Sequence, residues 1–391
     1  MPGRAVRKRS LAGVIAAMAV VNLVYGTTFP LLALVLDGQG VSKTLIGLST
    51  VVQALAVVVI APWAPGLLQR IPPARLMQGV TVLLALLFIV VGLFPNVWFW
   101  FPLRFDIGAL SAMLWISSEA LINELVDDSW RGRVIGIYAA AGAAGFALGP
   151  LLLIVAGSDG MVPFYATSAF ILLAGLPLFI VTPQRMKRSE EKASGVWAVF
   201  WLAPAIMLAN VVYAAAAESL LTFFPLFGVA LGVPENFALG LMTAMGLGTM
   251  ILVMPFSWLA DRVDRMGLLA VFVLLTMIGL ALMPWAVQQP VLAGVFAFVF
   301  GGVEGMIYTL GVVLVGARFK GALLAAATTL FTACWGVGTV IGPLLVGVGM
   351  DRFGEERMAL VILLLFAAYL PLPVAAWLRG RHGRFQSEEV T

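Results

Sequence analysis

Arg104, Glu218 and Glu304 are ionisable side chains set singly within long apolar stretches of a 391-residue sequence. A charged side chain at the centre of a bilayer costs about 2.5–3.5 kcal/mol on insertion scales, so one found there is a functional candidate by default. A guanidinium in that setting can hold an anionic group, and a carboxylate can take up and release a proton. Glu304 has Gly301, Gly305, Tyr308 and Gly311 at helical spacings. Glycines admit a neighbouring helix or a solute, and the phenol of Tyr308 can donate to the carboxylate. Arg104 shares a helical face with Gly108, Ser111, Trp115 and Ser118, with Glu119 at its margin. That face is expected to line a cavity, with Trp115 offering a ring for a solute to stack on. Plainer readings stand beside these. Arg104 can snorkel to the outer interface or pair structurally, and a protonated Glu304 can hold a structural hydrogen bond. Glu218, with Thr222 one turn on, faces the cavity or sits as a solvated charge in an outer vestibule. Asn22, Tyr25, Gln53, Asn210 and Tyr213 add hydrogen-bonding groups as cavity lining or as glue between helices. Asp106 points away from the Arg104 face, towards a headgroup-level or interhelical contact, and Trp335 is expected to pack.

These residues lie on elements that composition identifies. Hydrophobic residues make up 62% of the chain and charged residues 11%, whereas a soluble domain carries about 25% charged residues. A helix crosses the hydrocarbon region in about 20 apolar residues. Such segments fall at about 11–36, 44–68, 75–94, 97–122, 132–156, 163–182, 197–228, 236–259, 267–287, 290–316, 321–349 and 357–378. The alternating ten-residue pattern of barrel strands does not occur, so the expected class is an all-α polytopic membrane protein with twelve transmembrane helices. The first segment follows Arg4, Arg7, Lys8 and Arg9 but exceeds a typical signal-peptide core, and it is expected to stay as a helix. All but Lys43, Arg104, Arg352 and Arg357 of the 23 lysines and arginines fall on one side of this topology. The positive-inside rule then makes both termini cytoplasmic, in a cell (inner) membrane. The same asymmetry accounts for the net charge of +4 without a nucleic-acid partner.

Cys334 is the single cysteine and His382, in the polar tail, the single histidine. Intrachain disulfides, cysteine-rich metal sites and histidine catalysis within the membrane are thereby excluded, and neither a cofactor nor a metal is expected. The polar run Pro183–Ser194 divides the segments six and six. This gives an N-terminal bundle over 1–183, a cytoplasmic linker over 184–196, and a C-terminal bundle with its tail over 197–391. A repeat crosses the linker: Gly145-x-x-x-Gly149-Pro150 is echoed by Gly338-x-x-x-Gly342-Pro343, 193 positions on. Gln69-Arg70 lies opposite Asp261-Arg262 at a similar offset, and Asn22-x-x-Tyr25 is more loosely echoed by Asn210-x-x-Tyr213. Two parallel six-helix repeats with a solute site near the midplane form a transporter architecture.

The segment Ser257-Trp-Leu-Ala-Asp261-Arg262-Val-Asp-Arg265 resembles the loop signature of the major facilitator superfamily. Arg104-x-x-x-Gly108 is similar to that family's Arg-x-x-x-Gly motif, and Gly145-x-x-x-Gly149-Pro150 to its antiporter-associated motif. The run from Arg104-Phe105 through Trp115, Glu119-Ala120 and Arg131-Gly132-Arg133 to Tyr138 resembles the YcaD-like branch. The pattern departs in three places. Gln69 stands where an aspartate is expected, Leu152 and Leu153 replace the closing glycines, and Glu218 and Glu304 match no motif. The resemblance implies a two-bundle fold and a secondary transporter working by rocker-switch alternating access.

Within that implication Asp261 and Arg262 are expected to latch the inner side. Asp261 would cap a helix or pair with Arg318 or Lys320. Glu119, Arg131 and Arg133 are expected to ion-pair at an inner gate. The two Gly-x-x-x-Gly-Pro segments are expected to be the surfaces on which the halves rock, with Pro150 and Pro343 permitting bending. The expected function is proton-coupled movement of a small organic solute by a monomer, with export of an amphipathic compound favoured. The alternatives are facilitative uptake of a nutrient, a membrane-embedded enzyme and a channel. No Gly-x-x-x-x-Gly-Lys-Ser/Thr loop for ATP is present.

Overall fold

Backbone N–H and C=O groups find no water in hydrocarbon, so a chain this apolar satisfies them within helices. The computed structural model describes residues 4–60, 63–125, 128–181, 196–260 and 262–388, and among these it contains α-helices and short 3₁₀ turns but no strand. The helices are α1 (Arg4–Gly38), α2 (Lys43–Ile60), α3 (Ala64–Arg70), α4 (Pro73–Leu93), α5 (Val97–Leu125), α6 (Asp128–Ala156), α7 (Val162–Gly175), α8 (Val196–Leu202), α9 (Pro204–Ala230), α10 (Glu235–Ala260), α11 (Arg265–Ala286), α12 (Pro290–Arg318), α13 (Ala322–Phe353), α14 (Met358–Tyr369) and α15 (Pro371–Glu388). Among the described residues, 12 helical spans are long and apolar enough to cross a membrane.

Four expected segments are interrupted, each near a proline, which has no N–H to carry the helical hydrogen bonds on; Ala203, ahead of Pro204, leaves the helical region, while Leu176 and Leu370 keep helical angles. The segment at 44–68 becomes α2 and the short α3, which has Pro65 in its first turn. The segment at 163–182 leaves α7 for a 3₁₀ turn over Leu176–Ile180 that contains Pro177. The segment at 197–228 breaks at Ala203 before Pro204, and the last breaks at Leu370 before Pro371 and runs on to Glu388. Prolines inside α1, α5, α6, α9, α10, α11 and α13 leave those helices continuous.

The helices group into two compact units. The first holds α1–α7 together with Leu221–Leu226 and Pro234–Thr243. In it α1 packs on α5, α6 and α7, α2 packs on α5, and α4 packs on α5 and α7. Trp100 is fully buried and donates from its ring nitrogen to the Val91 carbonyl at 3.0 Å, tying α5 to α4. Ser168 does the same for α7 and α4 through the Ala85 carbonyl at 2.8 Å. At the α1–α2 turn Lys43 and Asp37 form an ion pair.

The second unit holds the rest of the described chain. There α11 packs on α12, α14 and α15, and α13 packs on α8 and α14. Tyr369 donates to the Ala205 carbonyl at 2.7 Å, joining α14 to the start of α9. Asp264 caps α11 by accepting from the Gly267 amide at 2.8 Å.

Glycines set the closest helix approaches, and they do so inside each unit. A Cβ on Gly145 would strike the backbone of Ala19, and one on Gly149 would strike Gly26, both on α1. On α13 a Cβ at Gly338 would strike the Val211 carbonyl, and one at Gly342 would strike Ala215, both on α9. The glycines expected to form the rocking surface between halves thus make their closest contacts within a unit. They are covered by a helix of their own unit, where a missing side chain lets two backbones touch. The pairing also recurs, since the fifth span lies on the first as the eleventh lies on the seventh.

Candidate transport site

In the first unit the site is built where α5 crosses α2. Gly108 makes the crossing possible, because a Cβ there would meet the Gln53 carbonyl. One turn earlier Arg104 is 0% exposed, and its Nη1 donates to Ser49 Oγ at 3.0 Å and to Thr50 Oγ1 at 2.8 Å. Its Nε and Nη2 have no partner, nor does either polar atom of Gln53, which is also fully buried. Ser111 Oγ is buried without a partner as well. This guanidinium is oriented by two hydroxyls and keeps three N–H donors, on Nε and Nη2, that could serve an acceptor group.

The expected polar face of α5 is thus packed rather than open along most of its length. Ser118 is fully buried and shares a hydrogen bond of 2.7 Å with Tyr138 Oη. Towards its end Trp115 is half-buried and donates from its ring nitrogen to Glu119 at 2.6 Å. Asp106 is exposed on the other side, as expected. On α1, Asn22 donates to the Met18 carbonyl of its own helix at 3.0 Å, and Tyr25 stacks on Phe29 with centroids 5.6 Å apart.

In the second unit the site lies among α9, α12 and α13. Glu304 is 7% exposed and its Oε1 has no partner. Tyr308, one turn further along α12, meets Tyr213 of α9 at 5.7 Å, Trp335 of α13 at 5.5 Å and Phe331 of α13 at 5.8 Å. Tyr213 and Trp335 also touch, at 5.5 Å. Glu304, Tyr308 and Glu218 are all within electrostatic reach of the Tyr213 hydroxyl. Asn210 donates to the Phe331 carbonyl at 2.6 Å, holding α9 on α13, while its Oδ1 is buried without a partner. The echo between Asn22 and Asn210 therefore ends at residue type, because one bonds within its helix and the other across helices.

Of the expected gate residues, Asp261 lies outside the described residues, as do the side chains of Arg131 and Arg133. Arg262 lies over the Trp258 ring at 5.9 Å. Arg318, expected as a partner of Asp261, donates to the Leu202 carbonyl at 2.7 Å. Helix capping, one of the roles expected of Asp261, is performed for α11 by Asp264. Pro150 lies within α6 and Pro343 within α13.

Sequence reasoning passed over Ser49 and Thr50, which sit four and three residues before Gln53 on one face of an apolar helix. It also passed over Phe331, and it read Trp335 as packing without seeing that it shares a corner with Tyr213, Tyr308 and Glu304. Spacing along one helix reveals a face, but rings from three helices meet only in the fold.

The model of the Major Facilitator Superfamily matches residues 14–343 and 237–387. The chain belongs to the Major Facilitator Superfamily. Among its relatives, the uncharacterized MFS-type transporter YfkF of Bacillus subtilis (strain 168) is 24% identical over 351 residues, covering 88% of this chain and 89% of the relative. The uncharacterized MFS-type transporter YcaD of Escherichia coli (strain SE11) is 24% identical over 298 residues, covering 73% of this chain and 76% of the relative. The resemblance to the YcaD-like branch is upheld. Among solved structures, a bacterial homolog of the human lysosomal transporter Spinster, inward-facing and unoccupied, has a TM-score of 0.74 at 13% identity, covering 96% of each chain. The nucleoside transporter NupG also has a TM-score of 0.74, at 14% identity, covering 95% of this chain and 98% of that one. The fold is the twelve-helix fold of the superfamily, and the protein is a multi-pass membrane transporter.

Proposed function

We propose that this superfamily member is a proton-coupled secondary transporter that exports a small organic solute, as a monomer, by rocker-switch alternating access. The observation that carries the reading is a buried ionisable side chain with spare hydrogen-bonding capacity in each unit, Arg104 in one and Glu304 in the other. The moving bodies are the bundles over 1–183 and 197–391, joined by 184–196, with both termini in the cytoplasm. Glu304 binds and releases the coupling proton, and Arg104 holds an anionic group of the solute or of a coupling carboxylate. Glu119, Arg131, Arg133, Asp261 and Arg262 form the inner gate, where exposed ion pairs worth about 1 kcal/mol or less close a contact that has to reopen. Export accords with how few polar side chains the spans carry.

The test is proton flux into proteoliposomes loaded with a pH-sensitive dye, measured as a panel of sugars, nucleosides, amino acids and organic ions is added. Saturable flux with one of them is the expected result. Current that rises linearly with voltage would make the protein a channel, and chemical conversion of an added compound would make it an enzyme.

A further inference from the structure

The second unit brings four aromatic rings and a buried carboxylate to one place. Tyr213, Tyr308 and Trp335 lie in mutual contact with centroids 5.5–5.7 Å apart, and Phe331 backs Tyr308. The Tyr308 and Trp335 rings meet at 82°, and those of Tyr213 and Trp335 at 58°, so the cluster forms a corner rather than a stack. Tyr308 is 39% exposed and Trp335 half-buried, which leaves the corner reachable, whereas Glu304 is 7% exposed. The buried atoms there without a partner are acceptors, Glu304 Oε1 and Asn210 Oδ1.

The charge of these helices has one sign at this level. Along α9 the only charged residue is Glu218. On α12 the only cation is the terminal Arg318, roughly 20 Å along the axis from Glu304. On α13 it is Arg352, roughly 25 Å from Trp335. Ring faces carry negative charge density and attract cations, more strongly when both are desolvated. A carboxylate with an open oxygen adds a full charge to the same corner.

We propose that Tyr213, Tyr308, Trp335 and Glu304 form the binding site for a lipophilic organic cation, an amine or quaternary ammonium compound. The cation rests against the ring faces and its charge faces Glu304, and Asn210 Oδ1 accepts an N–H where the ligand has one. This rests on the transporter reading above and names its substrate class. It also separates the roles of the two units, since the spare groups around Arg104 are mainly donors and those around Glu304 are acceptors.

The test uses two probes of nearly equal shape and opposite charge, tetraphenylphosphonium and tetraphenylborate. Each is titrated by calorimetry into detergent-purified protein against empty micelles. The phosphonium is expected to bind saturably and the borate not to bind. Trp335→Leu is expected to weaken phosphonium binding about tenfold, as loss of a desolvated ring contact does, and Glu304→Gln by at least as much. Should Trp335→Leu fail to fold, Tyr308→Phe, which keeps the ring, and Tyr308→Leu, which removes it, carry the comparison. Equal binding of both ions, or phosphonium binding that none of these substitutions alters, would overturn the proposal. Phosphonium that binds without moving protons in proteoliposomes would leave the site standing and remove the proton-coupled reading. Proton flux driven through Glu304 by a different solute, with no phosphonium binding, would do the reverse.

Discussion

Arg104 is the side chain whose surroundings say most about its use. Two hydroxyls take one end of its guanidinium and leave the other end unfilled, so it is oriented without being neutralised. Hydrogen bonds to charged groups are worth about 1.5–3 kcal/mol each. The double substitution Ser49→Ala with Thr50→Val should therefore lower both thermal stability and transport, whereas Asp106→Asn on the exposed side of α5 should alter neither. Thermal unfolding in detergent beside uptake by proteoliposomes checks this. Arg104→Lys keeps the charge but loses the planar fork and should recover only part of the transport lost in Arg104→Ala. At this scale the sequence was informative about charge and silent about partners. Lone ionisable residues stand out in an apolar run, yet Ser49 and Thr50 look like ordinary hydroxyls until α2 and α5 are laid together.

Among the elements, the glycine stripes decide how the helices sit. Gly145 and Gly149 let α6 touch α1, and Gly338 and Gly342 let α13 touch α9. A Gly149→Ala or Gly342→Ala substitution should lower the unfolding temperature, since the added methyl meets backbone that cannot swing aside, and overpacking typically costs about 1–3 kcal/mol. Gly136→Ala on the same α6 has open space around it and should be neutral or stabilising by about 0.5–1 kcal/mol. Scanning all three by thermal unfolding separates the close-packing account from a role for these glycines as a rocking surface, in which stability would be unchanged and transport alone would fall. Asp264→Ala should cost about 1 kcal/mol through loss of the α11 cap. Helix existence was plain from hydropathy because each span is long and apolar. Helix continuity was less plain, because a single proline at the start of α9 or α15 interrupts a helix that hydropathy alone runs through. The repeat was legible as an offset between the two Gly-x-x-x-Gly-Pro segments, but which helix each stripe touches is a matter of packing.

At the scale of the molecule, the superfamily fold places a buried guanidinium in one compact unit and a buried carboxylate beside aromatic rings in the other. In the proposed mechanism the energy for movement comes from a proton gradient, and Glu304 is the group through which protons enter the cycle. The measurement that tests this most directly is solute-driven proton movement in dye-loaded proteoliposomes, comparing wild type with Glu304→Gln and Arg104→Ala. The account predicts saturable proton flux with wild type, none with Glu304→Gln, and flux that requires higher solute concentration, or is lost, with Arg104→Ala. Solute movement through Glu304→Gln with an unchanged response to the pH gradient would contradict it.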